Sequence, residues 1–430
     1  MNGKHNHNLT LVLCATITVL CLLHVNTAVA ELRAAIAVRD VTPDPLLPVS
    51  GGVGPSHPAG RKIGVLTVRA LTLENEGTRV VICSTDFLGF PAVLGDKVRA
   101  QVRGIPPENI LIGATHNHSG PDCYGFPDQT GKANADLKYL DGVCDKLAEA
   151  INETTTRLKP ALVKIATGTA RGRIAYNYYA EQLYDPRCDV IQLLDKQSKP
   201  FATLVNYACH PEVIGADQGI LSPDFVGPLY DRIEQRGGGT GVFMNGAAGG
   251  MVTADCRGPD GKDLRTWDEC VRIGSLLADE ALRIAGDAPA RQNPTLFCSH
   301  TIIKFPIENT GLRAIVELSP LGFELDETGC VSTRINIINL GSAQILTIPG
   351  EALPNIGYYL KRKMHGEHNL LFGLTNDAFG YILTRVDWSS FGRYDYITRT
   401  CLGEMTGEIL IAETLKFADA CPRPENALAR

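Results

Sequence analysis

The sequence predicts a mixed α/β fold, a single domain in which strands alternate with helices. Three observations carry that expectation. Short apolar runs of strand type recur at 33–38, 65–73, 79–85, 110–115, 161–167, 189–195, 202–208, 241–245, 331–339, 343–348 and 369–375. Between them, Leu137, Leu140, Val143, Leu147 and Ile151 fall at helical spacing, as do Phe225, Leu229 and Ile233. Helices also fit 92–103, 266–285 (with Gly286 as a C-cap) and 403–418. Third, no internal repeat, low-complexity tract or long linker divides the chain; the glycine-rich Gly237-Gly-Gly-Thr-Gly241 reads as a helix-to-strand turn.

Ahead of this domain lies an expected export signal, residues 1–30. Residues 9–25 are almost wholly apolar, Lys4 gives a weakly basic start, and Ala28-Val29-Ala30 is an Ala-x-Ala cleavage site. An uncleaved membrane anchor is the competing reading. With the signal removed, a single domain of residues 31–430 remains, no stretch of it long enough to span a bilayer, and its destination is secreted or periplasmic.

Hydrophobic residues at 44% and charged ones at 20% are ordinary for a globular protein. A net charge of −6, with no Lys/Arg run longer than Lys361-Arg362-Lys363, argues against nucleic acid as a partner. Eleven of the 13 cysteines lie beyond residue 30, and in an exported protein some are expected to be bridged. Cys256 and Cys270, which bracket a polar insert, are the first candidate pair. No Cys-x-x-Cys occurs, which excludes the common zinc-finger and thioredoxin patterns. Oligomeric state is not readable from these features.

Several polar residues with chemical potential sit just after a predicted strand, where sites of α/β sheets assemble. His116 and His118 follow 110–115, His210 follows 202–208, and Asn245 and Gly246 end 241–245. Glu351 follows 343–348 through Pro349-Gly350, and Asn376 follows 369–375. In an extended chain alternate residues point the same way, so two imidazoles two apart can face one point. Neutral imidazole suits zinc and similar ions. Each residue also has a bland reading: surface or hydrogen-bonded histidines at 116 and 118, a core histidine at 210, a carboxylate at a helix N-terminus at 351. Taken together, two histidines and one carboxylate match the set that zinc hydrolases use, with a position left for water.

Asn245-Gly-Ala-Ala-Gly-Gly250 lacks the spacing and the following helix of a dinucleotide fingerprint. It reads as a loop that brings backbone close to a substrate or metal, with Asn245 and Gly246 as catalytic candidates. A Gly-x-Ser-x-Gly elbow and a P-loop are both missing.

In order along the chain stand Asp40-Val-Thr-Pro43, Ala114-Thr-His-Asn-His-Ser-Gly-Pro121, Asn206-Tyr-Ala-Cys-His-Pro211 and Ser222-Pro-Asp-Phe-Val-Gly227. Asn245-Gly-Ala-Ala-Gly249, Pro349-Gly-Glu351, Gly373-Leu-Thr-Asn376 and Gly380-Tyr-Ile-Leu-Thr384 follow. With these motifs the chain resembles the catalytic domain of the neutral/alkaline, non-lysosomal ceramidase family. The resemblance implies a ceramidase-like fold, one Zn2+ ion, and hydrolysis of the amide of N-acyl sphingoid lipids. It implies His116, His210, Glu351 and Tyr381 as zinc ligands, with His118 beside them as a proton carrier.

The chain also departs from the family. Gly249-Gly-Met-Val-Thr-Ala-Asp255 stands where the family has Gly-Asp-Val-Ser-Pro-Asn, so the acid and the serine are missing. Asn177-Tyr178 replaces a typical Asn-Arg pair, and Val386-Asp387 replaces an acidic pair. Nothing in the sequence resembles the immunoglobulin-like C-terminal domain of full-length ceramidases.

The expected function is therefore an exported zinc hydrolase of an amide in a small-molecule or lipid N-acyl substrate. The alternatives are a zinc hydrolase for an ester or lactone, and a degenerate member that binds a lipid or glycan without turnover. With the family serine absent, the expected mechanism is attack by water activated by zinc, which lowers its pKa to about 7. Thr253 stands one place beyond the serine position as the only hydroxyl that could substitute, and the Gly246–Gly250 amides are expected to hold the oxyanion.

Overall fold

The expected strands pair into three sheets, all built on one plan. In the first, Arg33–Asp40, Thr67–Asn75 and Thr78–Thr85 are antiparallel neighbours. A helix, Ala92–Arg99, then crosses over, and Ile110–Ala114 returns parallel to Thr78–Thr85. The second sheet repeats this order with Leu162–Thr169, Arg187–Leu194, Pro200–Tyr207, the helix Val226–Gln235, and Thr240–Asn245 as the parallel partner of Pro200–Tyr207. The third repeats it again with Leu296–Pro306, Cys330–Leu340, Ala343–Thr347, the helix Pro354–Lys363, and the parallel His368–Phe372. Each sheet is followed by one longer helix: Leu137–Thr156, Trp267–Gly286 and Thr406–Ala420. Parallel strands need such a crossover, whereas antiparallel ones close with short turns.

This corrects the expectation that the chain has no internal repeat. The repeat lies in the backbone order, and segments of unequal length between the strands hide it from sequence self-comparison. The computed structural model describes residues 31–127, 130 and 132–427, so the expected signal, with Cys14 and Cys21, lies outside the described residues.

One face of each sheet meets the other two. Leu71, Ile82 and Leu111 from the first pack with Ile191, Leu204 and Val242 from the second and Ile338, Ile345 and Leu370 from the third. The opposite faces carry the helices. Leu140, Val143, Leu147 and Ile151, the predicted apolar stripe, are buried against the first sheet. Leu229 and Ile233 pack with Ile273 and Leu277 on the second, and Ile356 and Leu360 with Leu410 on the third. Strands buried on both faces explain why so many read as continuous apolar runs.

Helix termini follow local chemistry. The Asp136 carboxylate accepts from the Tyr139 amide at 2.9 Å, and the Thr266 hydroxyl from the Glu269 amide at 3.4 Å, each an N-cap. Gly286 is the last helical residue rather than the C-cap, a place taken by Asp287. The strand Leu296–Pro306 and the helix Thr310–Leu318 were not expected. The strand is largely half-buried or exposed and the helix has no buried residue, so neither has a full apolar face.

All eleven cysteines among the described residues are free thiols, which corrects the expected Cys256–Cys270 bridge. Both thiols are buried, and that of Cys270 is hydrogen-bonded with Asp224 instead. Among the described residues, no helix is long and apolar enough to cross a membrane.

Candidate metal centre

The parallel edge pairs of the three sheets bring their carboxyl ends together, and each contributes to one cluster. His116 and His118 come from the first sheet, His210 from the second and Glu351 from the third. The His-x-His geometry differs from the extended pair that the sequence suggested. The strand stops at Ala114, and His116 takes a left-handed conformation, φ 69°. Such a conformation costs a non-glycine residue roughly 1–3 kcal/mol. It is held by the Thr115 amide donating to Thr85 O at 2.9 Å and the Asn117 amide to Phe87 O at 3.0 Å. The two rings still converge, with centroids 4.6 Å apart, through a kink rather than a pleat. The His118 amide then donates to Pro211 O at 3.0 Å, tying this turn to the Cys209-His210-Pro211 segment.

Each of the two buried imidazoles is anchored from behind. His116 Nδ1 donates to Leu88 O at 2.7 Å and His210 Nδ1 to Val252 O at 2.9 Å. A carbonyl only accepts, so Nδ1 carries the proton and Nε2 of each neutral ring presents a lone pair. Both lone pairs face Glu351 Oε2, at 3.2 Å from His116 and 3.1 Å from His210. His118 Nε2 lies 3.2 Å from His116 Nε2. The three imidazoles offer ligand atoms all within 4.8 Å of one another.

Three acceptors converging in a buried space require a cation, either protons on the rings or a metal ion. The electrostatics show that demand. Burial alone would raise the Glu351 carboxyl, yet His116 and His210 hold it well below the usual carboxylate range. Burial alone would lower His210, yet its hydrogen bond with Glu351 and the charges of Glu212 and Glu351 push it up to about 9. Two ring nitrogens and a carboxylate oxygen, each ring fixed by a carbonyl behind it, are the donor set and the outer support that a zinc ion takes.

Tyr381 enters through a short parallel ladder, Glu351–Ala352 against Tyr381–Ile382, with Glu351 paired to Tyr381. Its ring lines the same cavity as His116, His118 and Glu351. Its hydroxyl donates to Met251 Sδ at 3.0 Å, and burial together with the Glu351 charge raises the phenol well above its ordinary value. Glu351 does not start a helix; it sits in this ladder, three residues before the helix Pro354–Lys363.

Asn245 and Gly246 are placed differently from expectation. The Asn245 side chain donates to Thr115 O at 3.0 Å and Cys209 O at 2.8 Å, and accepts from the Cys209 and Gly246 amides at 3.1 and 2.8 Å. It is fully buried and saturated. The amides of Gly246, Ala248 and Gly249 donate to Tyr207, Gly246 and Ala352 carbonyls, so these three are spent within the fold rather than free for an oxyanion. The loop's function is to lock the histidine-bearing segments together. Gly249 is required there: a Cβ would stand 2.2 Å from Glu351 O.

Asn376 is likewise structural, accepting from Arg99 Nη2 at 2.9 Å and donating to Asn336 Oδ1 at 2.8 Å. Thr253 is set in a two-stranded ladder with Ala175–Asn177 and faces a neighbouring polar cavity. Sequence reading passed over Glu212, two residues from His210, whose Oε2 lies 3.8 Å from His118 Nδ1. It also passed over Tyr124, whose hydroxyl occupies the space a side chain at Gly89 would need. The signal for Glu212 was its place beside a histidine at a strand end.

No protein-family model matches the chain. Among curated proteins, it is 27% identical to neutral ceramidase A of Dictyostelium discoideum over 233 residues, 46% of this chain and 32% of that protein. It is 26% identical to neutral ceramidase B of the same organism over 178 residues, 36% of this chain and 25% of that protein. The aligned part thus spans about a third or less of these relatives' length. Among solved structures, neutral ceramidase from Pseudomonas aeruginosa superposes with a TM-score of 0.70 at 16% identity, covering 93% of this chain and 76% of that one. A ceramidase complexed with C2 matches equally, at 0.70 and 77% of its chain. The chain thus has the fold of the neutral ceramidases and a partial sequence similarity to two of them.

Proposed function

We propose that the chain is a zinc-dependent hydrolase of the carbon–nitrogen bond in an N-acyl compound, acting outside the cytoplasm after loss of residues 1–30. The observation that carries this is the convergence of His116 Nε2, His210 Nε2 and Glu351 Oε2, each ring anchored through Nδ1 on a carbonyl. The ceramidase relatives support the amide as the bond attacked. His116, His210 and Glu351 would hold the ion, with Tyr381 turning from Met251 to complete the set. Bound zinc supplies a Lewis acid that polarises a carbonyl and acidifies water.

The remaining work falls to this chain's own groups. His118 stands beside the cluster; burial first, then the adjacent His116 and His210, hold its ring well below the ordinary value. A neutral imidazole there accepts a proton from the attacking water and returns it to the leaving nitrogen, a role worth about 10²–10⁴-fold. The Val252 side chain offers no nucleophile, and attack by zinc-activated water needs none, so no acyl-enzyme step is proposed. Tyr381 and Tyr124 line the cavity beside Glu351.

The test is metal analysis of the purified protein, followed by a panel of amides and esters with a chelator control. About one zinc per chain and chelator-sensitive amide cleavage are expected. Turnover of esters alone would favour the ester or lactone reading, and binding without any turnover a non-catalytic one.

A further inference from the structure

Two cavities meet at His118. One, about 450 Å3, contains His116, Glu351 and Tyr381; most of its remaining wall is apolar (Leu88, Val93, Phe126, Leu312, Ile315 and Phe379), with Asp96, Glu324 and Asp377 set into it. The other, about 780 Å3, is lined by His57, Tyr176, Tyr178, Glu212, Asp217 and Asp263, with Arg265. Gly52, Val53, His118 and Tyr396 belong to both walls. Each volume is in the range of small-molecule sites.

The second cavity is anionic. Its one guanidinium, Arg265, is bound to Asp217 at 2.8 Å, and among the described residues no Lys or Arg side chain lies within ion-pair distance of Glu212 or Asp263. Glu212 is the better placed of the two. Its side chain is only 21% exposed, its ion-pair neighbour is His118 Nδ1 at 3.8 Å, and no described residue donates a hydrogen bond to its carboxylate. The carboxylate faces the cavity with no protein donor on it, so a ligand N–H or O–H could bind there in place of water. A second alkyl chain placed there would instead strip water from the carboxylates without compensation.

We propose that the substrate is an N-acyl derivative of a small polar amine, with Glu212 as a specificity-determining residue. The acyl chain occupies the apolar cavity and an ammonium- or hydroxyl-bearing amine portion occupies the anionic one. The scissile bond then lies at His118, between them. This rests on the amide-hydrolysis reading for the reaction but not for the binding preference.

The experiment is calorimetric titration of the zinc-loaded protein with four amides sharing one acyl chain, turnover being followed in parallel. They are N-octanoyl-1,2-diaminoethane, N-octanoylethanolamine, N-octanoylglycine and N-octyl octanamide. The first two should bind on the order of tenfold more tightly than the last two, the usual scale for a hydrogen bond to a charged group. Glu212→Gln should remove most of the diamine's advantage over the glycine compound while leaving metal content unchanged. Ile315→Ser, on a helix with no buried residue, should reduce the preference for octanoyl over acetyl without touching the preference among amines. Tightest binding of the octyl or glycine compound would overturn the inference, as would an unchanged preference in Glu212→Gln. Binding in the expected order without turnover would support the inference and overturn amide hydrolysis. Turnover with the order reversed would do the opposite.

Discussion

The Val252 carbonyl accepts from His210 Nδ1 at 2.9 Å and from the His210 amide at 2.8 Å. The residue whose side chain rules out a nucleophile at that place is therefore the one that sets the tautomer of a candidate ligand. Thr253, next along, is not needed as a nucleophile: Thr253→Ala is expected to change kcat by no more than about tenfold, well short of the loss that removal of a nucleophile causes. A covalent acyl adduct on Thr253, trapped by mass spectrometry during turnover, would contradict this.

His118→Ala should keep its zinc and lose about 10²–10⁴-fold in kcat, the value of a positioned acid–base group. Parallel metal analysis and steady-state kinetics check both halves. Loss of the metal with the side chain would instead make His118 a ligand, as the spacing of the three imidazoles permits.

His116→Ala and His210→Ala should lose metal and activity together. Glu351→Gln keeps the shape but removes the charge that both rings face, and metal affinity should fall by more than the roughly 10–100-fold seen for outer supporting groups. Competition with a chromophoric chelator measures it; full zinc in both histidine variants would discard the ligand assignment.

Asn245→Ala should act on stability, not on a reacting atom. It abandons four buried hydrogen bonds joining the ends of two sheets, and unsatisfied buried groups cost about 1–3 kcal/mol each. Chemical denaturation should show a large loss, with kcat per zinc-loaded molecule much less affected.

Gly249→Ala tests the close approach of the loop to Glu351. The added methyl meets Glu351 O at 2.2 Å, and overpacking of this kind costs about 1–3 kcal/mol. A lowered Tm with weakened zinc binding is expected; a variant that binds zinc normally would separate the loop from the site.

Much of this arrangement was legible in the chain. The apolar runs and the stripe from Leu140 to Ile151 identified strands and helices because both are buried on the faces their periodicity marks, whereas Leu137, expected in the same stripe, is exposed. His116, His210 and Glu351 were visible because each follows a strand, and strand ends are where the sheets meet. What was hidden depends on long-range contact. The left-handed turn at His116 follows from hydrogen bonds to Thr85 and Phe87, some 30 positions earlier, which no local pattern encodes. Asn245 looked catalytic since a buried amide and a substrate-facing one have the same letter. The strand Leu296–Pro306, on a sheet edge, buries too little to show a period.

The proposed ligands come from all three sheets, His116 from the first, His210 from the second and Glu351 with Tyr381 from the third, which has a consequence for how the molecule would be assembled around an ion. No single sheet with its helices carries enough donors to capture an ion, so metal uptake reports that all three have docked. An ion bound only by the completed structure adds stability that grows with the logarithm of its free concentration over its Kd. If the proposed ion is bound, chelation should therefore loosen the packing of three sheets at once rather than unfold one of them, and the ion would act as a rivet through their common seam.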